Sequence, residues 1–398
     1  MLRAQSKSMP KIAIYCSSLT RGGTERVIVN LAEYLKSEDM DVVLVTLYRW
    51  ENEYSVSAGI RRILSDIAPE EICPGTGPLQ RMVNFRRRRK KLSGIWKAER
   101  PDLIVSFLGK NNMMAIDTGR KFRIPVIAAV RGDPELEYPE RAQRRWMLRS
   151  FPFAAGIICT TEECASFFPA GGIREKTKVL PNPLNPAFLI PPCGERREKR
   201  IVSVGRLDAN KNQSLMIRAF AGVLAEAGEG DLRDRKTDAE IGRFAPNFDG
   251  WTLHIYGDGP DREKLGREIH EFGMDGRIFL EGAVEDVAGA IGKASIFLLT
   301  SETEGLPNSL LEAMSLGLAP ISTDCPVGGP RMVINSGENG LLIPVGGIET
   351  LKSDLKRLMA DPEYCASMGK NAEGVREIYA PEKALPQWEA YFREILNQ

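Results

Sequence analysis

Histidine is nearly missing from this chain: there are two, His254 and His270, in 398 residues. That shortage argues against a His-based nucleophile triad and against a multi-His metal site. Cysteine is sparse and scattered, at Cys16, Cys73, Cys159, Cys164, Cys193, Cys325 and Cys365, an odd number with no C-x-x-C spacing. This is neither a disulfide framework nor a zinc site, and reduced, buried thiols of a cytosolic protein are expected. No apolar run approaches the roughly 18 residues of a spanning helix. The first residues lack the apolar stretch of a signal peptide, so any membrane contact is expected to be peripheral. Net charge is lacking too: 54 Lys+Arg stand against 53 Asp+Glu, a balance of +1, which disfavours a whole-surface nucleic-acid binder.

What is present fits a folded chain. Hydrophobic residues make up 43% and charged residues 27%. At about 150 residues per domain, two or three domains are expected. Short β-branched runs alternate with amphipathic stretches. The first half offers strands at Ile12–Ser17, Val42–Leu47, Asp102–Leu108, Val126–Val130 and Gly156–Thr160. The second offers Ile201–Gly205, Thr252–Gly257, Ile278–Glu281, Ser295–Thr300, Ala319–Thr323 and Gly340–Pro344. Such alternation predicts parallel sheets covered by helices. The proline-rich stretch Leu180–Pro192, with the charged Glu195–Arg200 after it, sustains neither helix nor central strand and reads as a linker. The expectation is an α/β protein of two Rossmann-like domains, 1–185 and 195–380, facing across a cleft. A last helix, 381–398, has Leu385, Trp388, Tyr391, Phe392 and Ile395 on its apolar side. Residues 228–247 read as a polar surface insertion. His254 falls in a strand-like run and reads as a sheet-face residue.

Three segments carry chemistry. The first predicted strand runs into Gly22-Gly23, then a helix with Val27, Leu31 and Leu35 at helical spacing. A strand–glycine–helix turn can present backbone N–H groups to an anion. It can equally be a turn that needs glycine for positive φ. The second segment is Thr300–Gly317, with Glu304 on a loop and Glu312 in a helix that Pro307 begins and Gly317 ends. There carboxylates meet a helix N-terminus, suiting sugar hydroxyls and phosphate together. The third segment is Val204–Asn212, where Arg206 and Lys211 emerge after a strand and can neutralise a diphosphate.

These residues resemble the GT-B glycosyltransferases of family 4. The likeness lies in Gly22-Gly-Thr-Glu-Arg26, Val204-Gly-Arg-Leu207 with Lys211, Ile255–Pro260, Phe279–Gly282, Ser301–Ala313 and Asn339–Pro344. It implies a retaining enzyme that uses a nucleotide-sugar donor and needs no metal or other cofactor. Arg206 and Lys211 would hold the donor diphosphate, and Glu304 would contact the donor sugar. Glu312 would bind the ribose, with Gly305, Leu306, Pro307 and Asn308 around the phosphates and Gly282 and Val284 at the base. Gly22 and Gly23 would line the phosphate and acceptor side. The final helix would cross back onto the first domain. Many relatives place a histidine where this chain has Arg131, with Asp133 close by, so these two are the candidates to face the acceptor. Met332 stands where a glutamate is common. Asp39-Met-Asp41 precedes a strand and reads as a turn.

The balanced charge hides a split. Residues 1–190 carry a net +10 and residues 191–398 a net −9. Arg86, Arg87, Arg88, Arg89, Lys90 and Lys91 form the densest cluster, near Met82, Phe85, Leu92 and Trp96 on one helix. An anionic membrane or a polyprenyl diphosphate is the expected partner, and no nucleic-acid motif accompanies the run. The function expected is transfer of a sugar, UDP-linked, to a saccharide or lipid-linked saccharide, in the cytoplasm or on the inner face of the membrane. A sugar-nucleotide epimerase or hydrolase, or a non-catalytic saccharide-binding protein, are the alternatives.

Overall fold

A computed structural model describes residues 9–20, 22–67, 72, 77–191, 193, 197–228 and 248–398. Cys73 and all of the predicted insertion except Gly228 lie outside the described residues. The chain divides into two compact units, Met1–Pro183 with Glu382–Gln398, and Leu184–Pro381.

The first unit holds a sheet of seven parallel strands. They are β1 (Lys11–Cys16), β2 (Asp41–Thr46), β3 (Arg61–Leu64), β4 (Leu103–Phe107), β5 (Val126–Ala129), β6 (Gly156–Cys159) and β7 (Thr177–Val179). Their order is β3-β2-β1-β4-β5-β6-β7. The second unit holds six parallel strands: β8 (Glu198–Val204), β9 (Thr252–Tyr256), β10 (Ile278–Gly282), β11 (Ala294–Leu299), β12 (Ala319–Thr323) and β13 (Leu341–Ile343). Their order is β10-β9-β8-β11-β12-β13. Both sheets start at an inner strand, grow one way, then reverse and grow the other. That is the doubly wound Rossmann order, and crevices open at the carboxyl ends of the strands where the direction reverses.

Eleven strands fall where the apolar runs predict them, within a few residues at either end. The two unpredicted strands, β3 and β7, sit at the sheet edges. β3 reads Arg-Arg-Ile-Leu, with its outer residues exposed and its middle pair only half-buried, so no apolar run marks it. In the first unit, Ile12, Ile14, Leu44, Val105 and Ile127 pack against Val27, Leu31 and Leu35 of the helix Gly23–Ser37. Trp388 and Phe392, from the terminal helix Pro381–Leu396, enter the same core. The Trp388 ring stacks on Phe107 at 6.3 Å, and its indole N–H donates to the Pro181 carbonyl at 2.9 Å. The second unit buries both sheet faces. Ile201, Leu253 and Ile296 lie under Phe220 and Leu224, while Val202 and Phe297 lie under Leu310 and Met314. Leu184 and Phe188, in the proline-rich stretch, belong to that second core.

The six described cysteines are all free, and five of them are buried. His254 sits on β9, its ring stacked on Phe279 at 4.8 Å and bonded to Glu281 at 2.6 Å. No helix among the described residues is long and apolar enough to cross a membrane.

The basic run lies on the helix Pro78–Glu99, and half of it turns inward. Arg88 bonds the Asp66 carboxylate at 2.7 Å, Lys91 donates to the Asp66 carbonyl, and Arg89 lies 4.0 Å from Asp117. Leu92 and Trp96 are buried below them. The exposed cations are Arg86, Arg87 and Lys90, so the outer face carries half the charge that the sequence predicts.

Glu99 ends that helix and ties it to two strands. Its carboxylate accepts from Arg61 on β3 at 2.7 Å and from Lys11 on β1 at 2.7 Å. Arg61 first, then Lys11, pulls its pKa from 4.5 to about 2. A lowered folded pKa stabilises the protein above pH 4.5, and that contribution fades as pH falls toward 2. Glu99→Gln should therefore lower the urea midpoint near neutral pH, and the gap from wild type should narrow on acidification through this window. A gap that stays constant down to about pH 3 would remove Glu99 from the ledger.

Candidate active site

The sheet of the second unit reverses direction between β8 and β11, so the loops after these strands diverge from the crevice edge. The two loops are stitched together. Asn210 accepts the Thr303 N–H at 3.2 Å, its amide donates to the Thr303 carbonyl at 3.1 Å, and its own carbonyl accepts the Glu302 N–H at 2.8 Å. The Thr300 hydroxyl bonds the carbonyls of Lys211 and Asn212 at 3.0 and 2.9 Å. Across this seam the Lys211 ammonium meets the Glu304 carboxylate, and the Ser301 hydroxyl donates to the same oxygen at 2.6 Å. Both partners are largely withdrawn from solvent, with side chains 21% and 13% exposed. Their pairing is therefore less screened than a surface ion pair.

Arg206 differs from Lys211. Its side chain is 71% exposed and only loosely engaged, 3.6 Å from Asp208. The local backbone is nevertheless fixed, because the buried Gln213 donates to the Arg206 carbonyl at 2.8 Å. An exposed guanidinium on a fixed base can reach an incoming anion, whereas Lys211 is already held by Glu304.

Close backbone packing shapes the neighbouring strand ends. Gly205 donates to the Tyr256 carbonyl at 3.0 Å, and Gly257 donates to the Gly282 carbonyl at 2.7 Å. These bonds chain the ends of β8, β9 and β10. Gly257 has φ +130°, and a Cβ there would lie 1.9 Å from the Gly205 carbonyl oxygen. Gly282 closes β10 with φ +79°, and Val284 is half-buried against the second core.

Beyond β11, Gly305 and Leu306 lead into the helix Asn308–Ser315. Pro307 is the residue before this helix, with ψ 114°, and not its first turn. Glu312 lies about one turn inside and is buried, with 4% exposure. Gly317, φ +75°, follows the helix end as predicted.

After β12 the chain makes a tight turn, closed by a bond from the Gly328 N–H to the Cys325 carbonyl at 3.2 Å. Val327 occupies its third position at φ +70°, where a β-branched side chain is strained. This turn accepts the Glu304 N–H at the Pro326 carbonyl, 3.3 Å. Gly329 follows, and a Cβ on it would lie 1.5 Å from the Gly305 carbonyl oxygen. Met332 is exposed on the short helix beyond.

In the first unit the corresponding reversal lies between β1 and β4. The Asn111 amide bridges it, donating to the Ser17 hydroxyl at 3.0 Å. Gly22 precedes the helix Gly23–Ser37 with φ −125°, so this loop does not need its glycines for positive φ. Arg131 corrects the expectation that it faces an acceptor. It is 7% exposed, lies under the Trp388 ring at 5.3 Å, and donates to Asn182. Burial lowers its pKa to about 10. Asp133 accepts the Glu135 N–H at 2.8 Å and starts the short helix Pro134–Glu137, which is a capping role. The Glu137 carboxylate gathers the N–H groups of Gly109, Arg131 and Gly132 at 2.9–3.1 Å.

Among the described residues, no group of three His, Cys, Asp or Glu could hold a metal ion. The structure thus brings Lys211, Glu304, Arg206, Gly282, Gly305 and Glu312 to one sheet edge. It also adds Asn210, Ser301 and Gly329, of which Asn210 and Ser301 fall inside the segments Val204–Asn212 and Ser301–Ala313 without being marked individually.

Two Rossmann-type units, each doubly wound, define the GT-B architecture, and the family matches say which class of enzyme uses it here. Residues 21–188 match the family described as Glycosyltransferase Family 4, and residues 194–375 match Glycosyl transferases group 1. The chain belongs to the family 4 glycosyltransferases of the GT-B fold. It is 23% identical to a Campylobacter jejuni α-1,4-N-acetyl-D-galactosaminyltransferase named for a PP-undecaprenol-linked acceptor, over 98% of this chain and all of that one. It is 33% identical to an exopolysaccharide phosphotransferase of Streptomyces coelicolor over 42% of this chain, and this match spans only 18% of the relative. Among solved structures, Anabaena HepE in complex with UDP and glucose superposes with a TM-score of 0.74 at 17% identity, over 97% of this chain and all of that one.

The contact between Gly329 and Gly305 generates a prediction. Gly329→Ala must displace a carbonyl and should cost about 1–3 kcal/mol. Gly94→Ala, in an open position within the helix Pro78–Glu99, should instead gain about 0.5–1 kcal/mol. Thermal unfolding of both variants checks the pair, and equal midpoints would refute the close-packing argument.

Proposed function

We propose that this chain is a retaining hexosyltransferase that moves a sugar from a UDP-sugar to a saccharide or polyprenyl-diphosphate-linked saccharide in cell-surface polysaccharide or glycoconjugate biosynthesis. The observation that carries the reading is the Lys211–Glu304 pair at the reversal of the second sheet. In this reading the second unit takes the donor and the first the acceptor.

Breaking the bond between sugar and diphosphate leaves negative charge on the departing oxygen. Lys211 and Arg206 offset that charge as it grows, which lowers the barrier more than it tightens ground-state binding. Glu304, freed in part as Lys211 turns to phosphate, accepts hydrogen bonds from donor-sugar hydroxyls. Glu312 takes the ribose hydroxyls, Gly282 and Val284 meet the base, and Gly305 to Asn308 offer backbone to the phosphates. Gly22 and Gly23 line the acceptor side. No metal enters this scheme, because the cations of the chain do the neutralising. The relative named for a PP-undecaprenol acceptor and the neighbour solved with UDP and glucose support the choice of acceptor and donor classes.

Lys211→Ala and Glu304→Ala should each lower kcat by about 100-fold or more, the cost of removing one preorganised charge. Arg206→Ala should lower it less, since its side chain is largely exposed and its charge is screened by solvent. Transfer from UDP-sugars to a saccharide panel, with far-UV dichroism as a folding control, measures this. Near-wild-type turnover in all three rejects the assignment.

The same reading places the enzyme on the inner face of the plasma membrane through Arg86, Arg87 and Lys90. Leu79 and Met82 are exposed on the same helix. At about 1 kcal/mol per cation near an anionic surface, a triple Arg86/Arg87/Lys90→Ala variant should lose most co-sedimentation with phosphatidylglycerol vesicles. Unchanged co-sedimentation removes this face from membrane contact.

A further inference from the structure

The loop after β2 presents an aromatic surface that no step above uses. Trp50 is 58% exposed and Tyr48 38%, with ring centroids 6.0 Å apart and tilted by 50°. Leaving a tryptophan in water forgoes roughly 1.5–3 kcal/mol of burial. A loop free to rearrange could cover part of such a ring. This loop is not flexible in that sense, because its backbone is bound to the glycine loop on both sides of the rings.

Before them, the Leu47 and Tyr48 N–H groups donate to the Cys16 and Ser17 carbonyls at 3.2 and 2.9 Å. After them, the Tyr54 N–H donates to the Leu19 carbonyl at 2.8 Å. Glu53 completes the clamp. Its carboxylate accepts the Leu19 N–H at 3.2 Å and the Trp50 N–H, and forms an ion pair with Arg62 whose two side chains are 7% and 8% exposed. Arg26, from the helix after the glycine loop, donates to the Tyr54 hydroxyl at 3.1 Å. The residues left projecting are Tyr48, Arg49, Trp50, Glu51 and Asn52, all exposed.

An aromatic face beside a carboxylate, an amide and a guanidinium matches the chemistry of a pyranose. The axial C–H bonds of the ring lie against the π face, and the equatorial hydroxyls reach planar polar groups at its rim. We infer that Trp50 and Tyr48 form a stacking platform for a saccharide ring of the acceptor. The inference rests on the glycosyltransferase reading and adds a saccharide subsite on the first unit. A lipid bilayer also attracts exposed tryptophan. The saccharide is favoured because Arg49 and Glu51 cancel within the projecting set, which leaves an anionic surface no net attraction to it, and because the clamp fixes the rings to the loop assigned to the acceptor.

The test uses full-length protein on a printed array of bacterial mono- to tetrasaccharides, with UDP affinity by calorimetry as a separate readout. Wild type should bind a subset of glycans. Trp50→Ala should lower that signal at least tenfold and Trp50→Phe less than twofold, with UDP affinity within twofold of wild type throughout. No glycan bound by wild type, or equal binding by Trp50→Ala, overturns the platform. Glycan binding retained by Trp50→Ala with lost vesicle co-sedimentation assigns the rings to a bilayer and likewise overturns it. Loss of UDP binding in the wild-type protein would count against the donor assignment and leaves the array result to be judged independently.

Discussion

Backbone meets backbone where the strands of the second sheet end, and the rest of the site depends on that contact. A Cβ at position 257 or 329 would lie within bonding distance of a neighbouring carbonyl oxygen. Glycine at these places lets the loops after β8, β9, β11 and β12 close to a spacing that side chains would forbid. Asn210 and Thr300 then tie the loop after β8 to the loop after β11, and across that seam Lys211 meets Glu304. The strained Val327 turn, which accepts the Glu304 N–H, holds the assembly from the other side.

Much of the fold is legible in the sequence because parallel strands buried on both faces read as continuous apolar runs. Ile12–Cys16 and Ile296–Leu299 announce themselves in this way. β3 does not, because an edge strand bearing two arginines has no apolar run, and what holds them, Glu53 and Glu99, carries no apolar signal of its own. The second-unit site is legible for a related reason. Arg206, Lys211 and Glu304 stand just past strand ends, and strand ends are what apolar periodicity locates. The seam built by Asn210 and Thr300 is not, since neither residue type is unusual in a loop.

Arg131 shows where position along the chain misleads. It stands two residues past the end of β5, and strand ends are where ligand groups are sought. Whether a strand-terminal side chain turns to solvent or to the core depends on what packs beside it. Here the indole of Trp388, arriving from the end of the chain, covers the guanidinium. The basic run teaches the same lesson at lower resolution, since Asp66 and Asp117 draw three of its cations inward.

Glu137 has a consequence of its own. Its carboxylate collects the N–H groups at the start of the helix Gly109–Gly119 and just past β5, where an external anion would find its donors. Burial raises the pKa of this carboxyl, while those three donors pull the other way. The unit thus carries an internal counter-ion. It fills the electropositive corner of its own sheet, so that phosphate in the surrounding medium gains little by lodging there.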